Sequence, residues 1–185
     1  MHKTWMWDKV CFQQEHSNNA YLLWFHSLIS KLGYCNPDTP KILTRLGKGG
    51  KIRQLSRFKT FTFTSFNWIQ EAFYVNGVKT VPPMVEQFFS PLALAIWIMD
   101  DGGIVSPSPK ARTGLKIATN SFNQTEVQML CEILKRKYNL SVSIISAGVP
   151  NQYNIYISKY SMKALTNIVR PYMHPSMYYK LNTHL

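Results

Sequence analysis

Acidic residues are scarce in this 185-residue chain: 9 Asp and Glu stand against 21 Lys and Arg, a net charge of +12. So lopsided a balance disfavours basic partners and suits a polyanion, nucleic acid first. Cysteine is equally sparse. Cys11, Cys35 and Cys131 are odd in number and lack metal-ligand spacing, so they exclude a disulfide framework and a zinc site and read as reduced thiols. The five histidines, His2, His16, His26, His174 and His184, show no ligand spacing either and read as surface or satisfied core residues.

No apolar run approaches the ~20 residues that span a bilayer. No basic amphipathic helix or polybasic cluster flanks an apolar anchor, so a membrane surface is a poor candidate for the polyanion. The N-terminus has no apolar signal region, and Met1-His-Lys-Thr-Trp is not an Arg- and Ser-rich transit peptide, so any address is not visible. What is present is a folded composition, 45% hydrophobic and 14% aromatic, long enough for one large core or two small half-domains.

The most informative stretch is Pro91-Leu-Ala-Leu-Ala-Ile-Trp-Ile-Met-Asp-Asp-Gly-Gly103. Leu92 to Met99 is apolar on every side and so predicts a buried helix, with Ala93 and Ala95 allowing close approach of a neighbour. Asp100 and Asp101 fall at its C-terminus, where the macrodipole disfavours negative charge, so a cation is expected beside them. Gly102 and Gly103 are expected to leave the helix with positive φ and start a strand. A plainer reading is a buried helix with a solvated acidic end.

Periodicity divides the chain into two similar passages. The first predicts a strand over Val10 to Glu15, a helix over Asn18 to Leu32 stopped by Gly33, and a basic hairpin from Lys41 through Gly47-Lys-Gly-Gly-Lys to Thr64. A helix over Asn67 to Tyr74 follows. The second predicts a strand near Gly103 to Val105, a Ser, Pro, Lys and Arg loop, a strand over Thr113 to Thr119 and a helix over Asn123 to Tyr138. A hairpin over Ser141 to Ile157 and a helix over Tyr160 to Val169 complete it. Phe61-Thr-Phe-Thr-Ser-Phe-Asn67 and Ile155-Tyr-Ile-Ser-Lys-Tyr-Ser161 mark the repeat, each a strand tip running into a helix start.

The acidic stretch resembles the second motif of the LAGLIDADG homing endonucleases and intron maturases, in the two-motif branch of organellar introns. The resemblance implies an α+β fold of duplicated αββαββα half-domains with saddle-shaped antiparallel sheets. Residues 1–83 are then an incomplete N-terminal half, lacking its acidic helix and first strand, and 84–185 a complete C-terminal half. It further implies Mg²⁺-dependent phosphodiester hydrolysis, with Asp101 as metal ligand and Asp100 contributing its carbonyl. Gln14 and Asn120 match the water-positioning Gln-type position, although Asn is shorter. Lys79 and Lys180 match the lysines that stabilise phosphate charge; on so basic a chain the plainer reading of either is a surface charge. Organellar, mitochondrial residence is implied by the family alone.

Binding is expected from the hairpins. Lys48, Lys51, Arg53, Arg57 and Lys59 lie in one, Lys110, Arg112 and Lys116 in the other. Alternate strand residues share a face, so such a ribbon lies along a groove with Arg at base edges and Lys on phosphates. Trp5 and Trp7 are candidates to pack on a partner or to fill the gap left by the absent helix. Three functions compete: a DNA endonuclease subunit completed by a second polypeptide with the first acidic helix, an RNA-binding protein (a maturase or a component of a ribonucleoprotein such as an organellar ribosome), and a DNA-binding module without catalysis. Retained Asp101, Lys79 and Lys180 favour the first. The missing first motif favours the second.

Overall fold

The computed structural model describes residues 9–105 and 114–181. Trp5, Trp7, Lys110 and Arg112, and the expected Ser, Pro, Lys and Arg loop, lie outside these residues, as does the side chain of Lys48. The described chain forms two compact units, residues 1–71 and 72–185.

In the first unit, strand β1 (Cys11–Glu15) leads through a 3-10 turn into helix α1 (Asn19–Lys31). Tyr21, Leu22, Phe25 and His26 form the buried stripe of α1, at the spacing that puts one helical face on a sheet. Gly33, at φ +79°, gives the left-handed turn after α1 that its position promised, and its N–H bonds back to Ser30 O at 2.8 Å. Strands β2 (Ile42–Leu46) and β3 (Ile52–Lys59) follow as a hairpin, and the sheet order is β1-β3-β2, antiparallel throughout. Phe12, Phe25 and Phe58 pack with ring centroids 4.9 to 6.1 Å apart and tie sheet to helix. Helix α2 (Asn67–Phe73) runs across the boundary between the units.

The expected strand through Thr64 ends earlier, at Lys59. Beyond it Thr60 makes only an isolated bridge to Cys35, and Phe61 N–H bonds to Tyr34 O at 2.8 Å. Phe63 and Phe66 then cluster with Tyr34, so the alternating aromatics serve a local cluster instead of a ladder. In the repeat parallel, both helix starts hold as 3-10 turns entering helices, but Phe61 to Phe63 lies past the strand.

The second unit opens with a hairpin that periodicity did not reveal, β4 (Tyr74–Val75) and β5 (Val78–Lys79), turned by Asn76 and Gly77, both at positive φ. Short helix α3 (Val85–Phe88) precedes α4 (Pro91–Asp101), which has Ser90 as its N-cap, accepting from Ala93 N–H, and Pro91 in its first turn. Strands β6 (Gly102–Ile104), β7 (Leu115–Ala118), β8 (Val142–Ser146) and β9 (Tyr153–Ile157) make a sheet of order β6-β7-β9-β8, antiparallel throughout. Helix α5 (Gln124–Tyr138) lies between β7 and β8 and α6 (Met162–Val169) after β9. The first unit's β1-β3-β2 repeats the β7-β9-β8 part of this order, with a helix in the same place, so the duplication is topological as well as sequential.

Thr80 and Val81 both donate to Glu126 on α5, which fastens the β4-β5 hairpin within the second unit.

Helix α4 is the centre of the second core. Leu94, Ala95, Ile98 and Met99 are wholly buried, while Leu92, Ala93, Ile96 and Trp97 are half-buried. Each buried Leu, Ile or Met contributes roughly 1.5–3 kcal/mol. Gly102 does not adopt the expected positive φ; it is extended at φ −75°, ψ 146°, and Gly103 is not at positive φ either. The glycine is needed for space, because a Cβ on Gly102 would meet Ile98 O at 2.4 Å. Gly102→Ala is therefore expected to lower stability by about 1–3 kcal/mol, the range for overpacking. Urea unfolding of the variant with an unchanged midpoint would refute this.

Candidate functional site

Two carboxylates at the end of a buried helix need cations, and the second unit supplies them from two directions. The chain after α6 folds back as 3-10 turns, Pro175–Leu181 being the last, and Met173, Met177, Lys180 and Leu181 are buried there against the end of α4. His174 N–H points at Met99 Sδ, 3.3 Å away. Lys180 is only 7% exposed, so it is not a surface charge. Its Nζ donates to Met99 O and, at 3.2 Å, to Asp100 O. Those carbonyls are orphan acceptors of the last helical turn, so the ammonium caps the helix and answers its dipole.

Burial pushes the Lys180 ammonium below the usual lysine range, against the pull of Asp100 and Asp101. Asp101 shows the mirror effect. Desolvation raises its carboxyl above the ordinary value, and Lys79, Lys180 and a hydrogen bond with Trp97 only partly oppose it. The helix thus ends in a carboxylate held near two lysines and one indole. Asp100 and Asp101 are both exposed, and the Asp100 carbonyl already accepts from Lys180.

Lys79 comes from β5. Its Nζ lies 5.2 Å from the centroid of Phe122, and the Lys79 and Asp101 side chains border a cavity of about 230 Å³ lined also by Phe73, Trp97 and Phe122. The brace behind Lys79 escaped sequence reasoning. Glu126, third residue of α5, closes a capping box with Asn123 and also accepts from the Thr80 hydroxyl and from Val81 N–H at 3.1 Å. The motif Asn123-Gln-Thr-Glu126 signalled the cap; nothing in it signalled the second partner, 46 residues away in sequence.

The remaining candidates lie on sheets. Asn120 is exposed in the turn after β7, next to buried Thr119, whose hydroxyl donates to Tyr153 O at 2.7 Å. Gln14 lies in the other unit, on the α1-facing side of β1 with Phe12, and accepts from Asn18 at 3.2 Å. The opposite face carries Gln13, paired with Arg57, then Lys59, Arg53 and Arg45, the last paired with Arg53. Arg53 is partly offset by Glu15, 3.5 Å away. Lys51 sits in the turn between β2 and β3, as does the backbone of Lys48. In the second unit Lys116 crosses the open sheet face beside Gly103, in one row with Tyr156 and Ser143. Gln13, Arg45, Tyr156 and Ser143 were not singled out from sequence; strand register is what aligns them with the basic residues.

Among the described residues no group of three His, Cys, Asp or Glu stands ready for a metal ion, and no helix is long and apolar enough to cross a membrane. The three thiols are free, Cys11 exposed and Cys35 and Cys131 buried, and burial pushes Cys131 up to about 11.

Comparison with known proteins shows what the chain is similar to. Residues 6–165 match the LAGLIDADG DNA endonuclease family. The chain is 46% identical over 177 residues to the cytochrome b mRNA maturase bI2 of Debaryomyces hansenii, covering 96% of this chain but 65% of that protein. It is 38% identical over 160 residues to the intron-encoded endonuclease ai4 of Dictyostelium discoideum, covering 84% of this chain and 97% of that one. The homing endonuclease I-WcaI, solved bound to its DNA recognition sequence, superposes with a TM-score of 0.79 at 30% identity, over 92% of this chain and 74% of that one.

The Glu126 brace has a pH signature. Burial works to raise its carboxyl, but the bonds from Thr80, Asn123 and Val81 outweigh it and hold the group below the ordinary glutamate value. A lowered folded value stabilises the protein above the unfolded carboxylate range, and that contribution is lost as pH falls through the folded value. Urea midpoints measured from pH 7 down to pH 3 should fall less steeply for Glu126→Gln than for the parent. Parallel pH profiles would remove Glu126 from this role.

Proposed function

The chain belongs to the LAGLIDADG DNA endonuclease family, and from that premise we propose that it binds duplex DNA and contributes one half of a metal-dependent phosphodiester-cleaving centre. The observation that carries this reading is the Asp101, Lys79 and Lys180 cluster at the end of α4. Stability alone would not put two acids at a helix C-terminus; a site that must hold a cation would.

The oxygens present suit a hard divalent ion such as Mg²⁺, with the Asp101 carboxylate as ligand and the Asp100 carbonyl beside it. When bound, such an ion supplies charge stabilisation and an activated water. The chain's own residues do the rest. Lys180 fixes the helix end through its two carbonyl bonds, so the Asp101 carboxylate has a defined origin. Lys79, held on β5 by the Glu126 brace, presents an ammonium beside Asp101 where phosphate charge would develop. Asn120 and Gln14 are the candidates to orient water in their respective units.

A second acidic helix completes the centre, since one carboxylate serves one strand; in this reading it comes from a second polypeptide. The basic face of β3, with Arg53, Arg57 and Lys59, and Lys116 in the second unit supply phosphate and base-edge contacts. The similarity to a cytochrome b mRNA maturase supports a second reading, in which the ligand is an intron RNA, the protein a maturase or ribonucleoprotein component and Asp101 a relic. Both readings carry an organellar location.

The test starts from a duplex selected by binding from a random pool. With Mg²⁺ and the completing polypeptide, the parent should cut it. Asp101→Asn should keep affinity within about twofold and lose cleavage by about 10³-fold or more, the loss of several kcal/mol of charge stabilisation. Undiminished cleavage by that variant would exclude Asp101; a parent that binds no duplex in preference to RNA would favour the maturase reading. The parent without a complement should make no double-strand break.

A further inference from the structure

The end of the chain carries a second basic and aromatic surface that belongs to neither sheet. Glu132 is the last acidic residue: positions 133–185 contain none. In α6 the buried stripe is Met162, Leu165, Thr166 and Val169. On the other side Lys163 and Asn167 are exposed, four residues apart on one helical face, and Tyr160 in the 3-10 turn just before α6 and Arg170 in the 3-10 turn just after it are exposed as well. Lys159 is exposed beside Tyr160.

Tyr160 is 83% exposed. A large ring in water at that level contributes nothing to the core, and Lys159 Nζ lies 5.1 Å from its centroid. At the other end Arg170 lies 5.4 Å from the centroid of Tyr178. Next to the Tyr160 end, Lys135, Asn139, Ser141 and Ser161 line an open depression of about 430 Å³. Of the neighbouring cations on α5, Arg136 and Lys137 are engaged by Glu86 through its carboxylate and its carbonyl, whereas Lys135 borders the depression.

We propose that this face of α6, with Tyr160 as its stacking platform and Lys135, Lys159, Lys163 and Arg170 on the backbone, binds an unpaired segment of RNA. Charge complementarity names a polyanion. The ring decides that it is unpaired, because a base inside a duplex offers no face to a tyrosine standing out in solvent. Unpaired bases stacked on aromatic rings and flanked by phosphate-binding cations are how proteins take up single-stranded nucleic acid, and in RNA the loops and bulges supply such bases. None of the residues proposed for it belongs to the Asp101, Lys79 and Lys180 cluster or to the row of Lys116, Tyr156 and Ser143, so its failure would leave the endonuclease reading intact.

The probe is a fluorescein-labelled oligouridylate of about 12 nucleotides, within the site sizes such platforms cover, read by anisotropy with the full chain. Tyr160→Ala should weaken binding about 5- to 100-fold, Tyr160→Phe should bind within about twofold of the parent, and Lys163→Ala should reduce the slope of log K against log salt by about 0.7. Asp101→Asn should bind the RNA as the parent does, and saturating duplex DNA should leave it bound. Both Tyr160 and Lys163 are exposed, so thermal melts of the variants should match the parent. Unchanged affinity in Tyr160→Ala, full displacement by duplex DNA, or equal affinity for the DNA oligonucleotide of the same sequence would each overturn the proposal.

Discussion

Lys180 against the last carbonyls of α4 is the contact on which the rest of the second unit depends. A buried ammonium is costly by itself, and so are two acids at the negative end of a helix. Brought together, each offsets the other: the lysine takes two orphan carbonyls and faces both carboxylates, and its own pKa falls because the site is dry. Met173, Met177 and Leu181 are buried with the lysine, as is Met99 in the last turn of α4. Asp101 follows on the same turn, exposed, with its carboxyl pushed up by partial desolvation.

The second lysine is held by a different device. Lys79 stands on a two-residue strand that has little packing of its own, and the Glu126 carboxylate reaches it through Thr80 and Val81. One glutamate therefore starts helix α5 and anchors the β4-β5 hairpin. This double use ties the hairpin into the second unit. The basic sheet faces, by contrast, are assembled by register alone: Arg57 opposite Gln13, Arg45 opposite Arg53, Lys116 opposite Tyr156.

Legibility in the sequence followed the range of the interactions. Helices α1, α4 and α5 lie within a residue or two of where periodicity and stop signals put them, because Gly33, Ser90-Pro91 and Asn123 act on their own neighbours. The strand expected to reach Thr64 stops at Lys59, because Tyr34 and Cys35 take over Phe61 and Thr60, a tertiary event. The need for glycine at 102 was legible, but its reason was not: no positive φ is involved, only the proximity of Ile98 O.

The sequence by itself determined the charge, the duplicated order of helices and strands, and the placement of two acids where a helix could least tolerate them. Those are properties of local spacing and composition, which a linear text carries in full. Tertiary structure alone decided that Lys180 is buried and Lys79 braced, that Gln13 shares the basic face while Gln14 faces α1, and that Tyr160 stands in water. Burial and long-range partners set those outcomes, and both arise only when residues as far apart as 99 and 180 come within a hydrogen bond of each other.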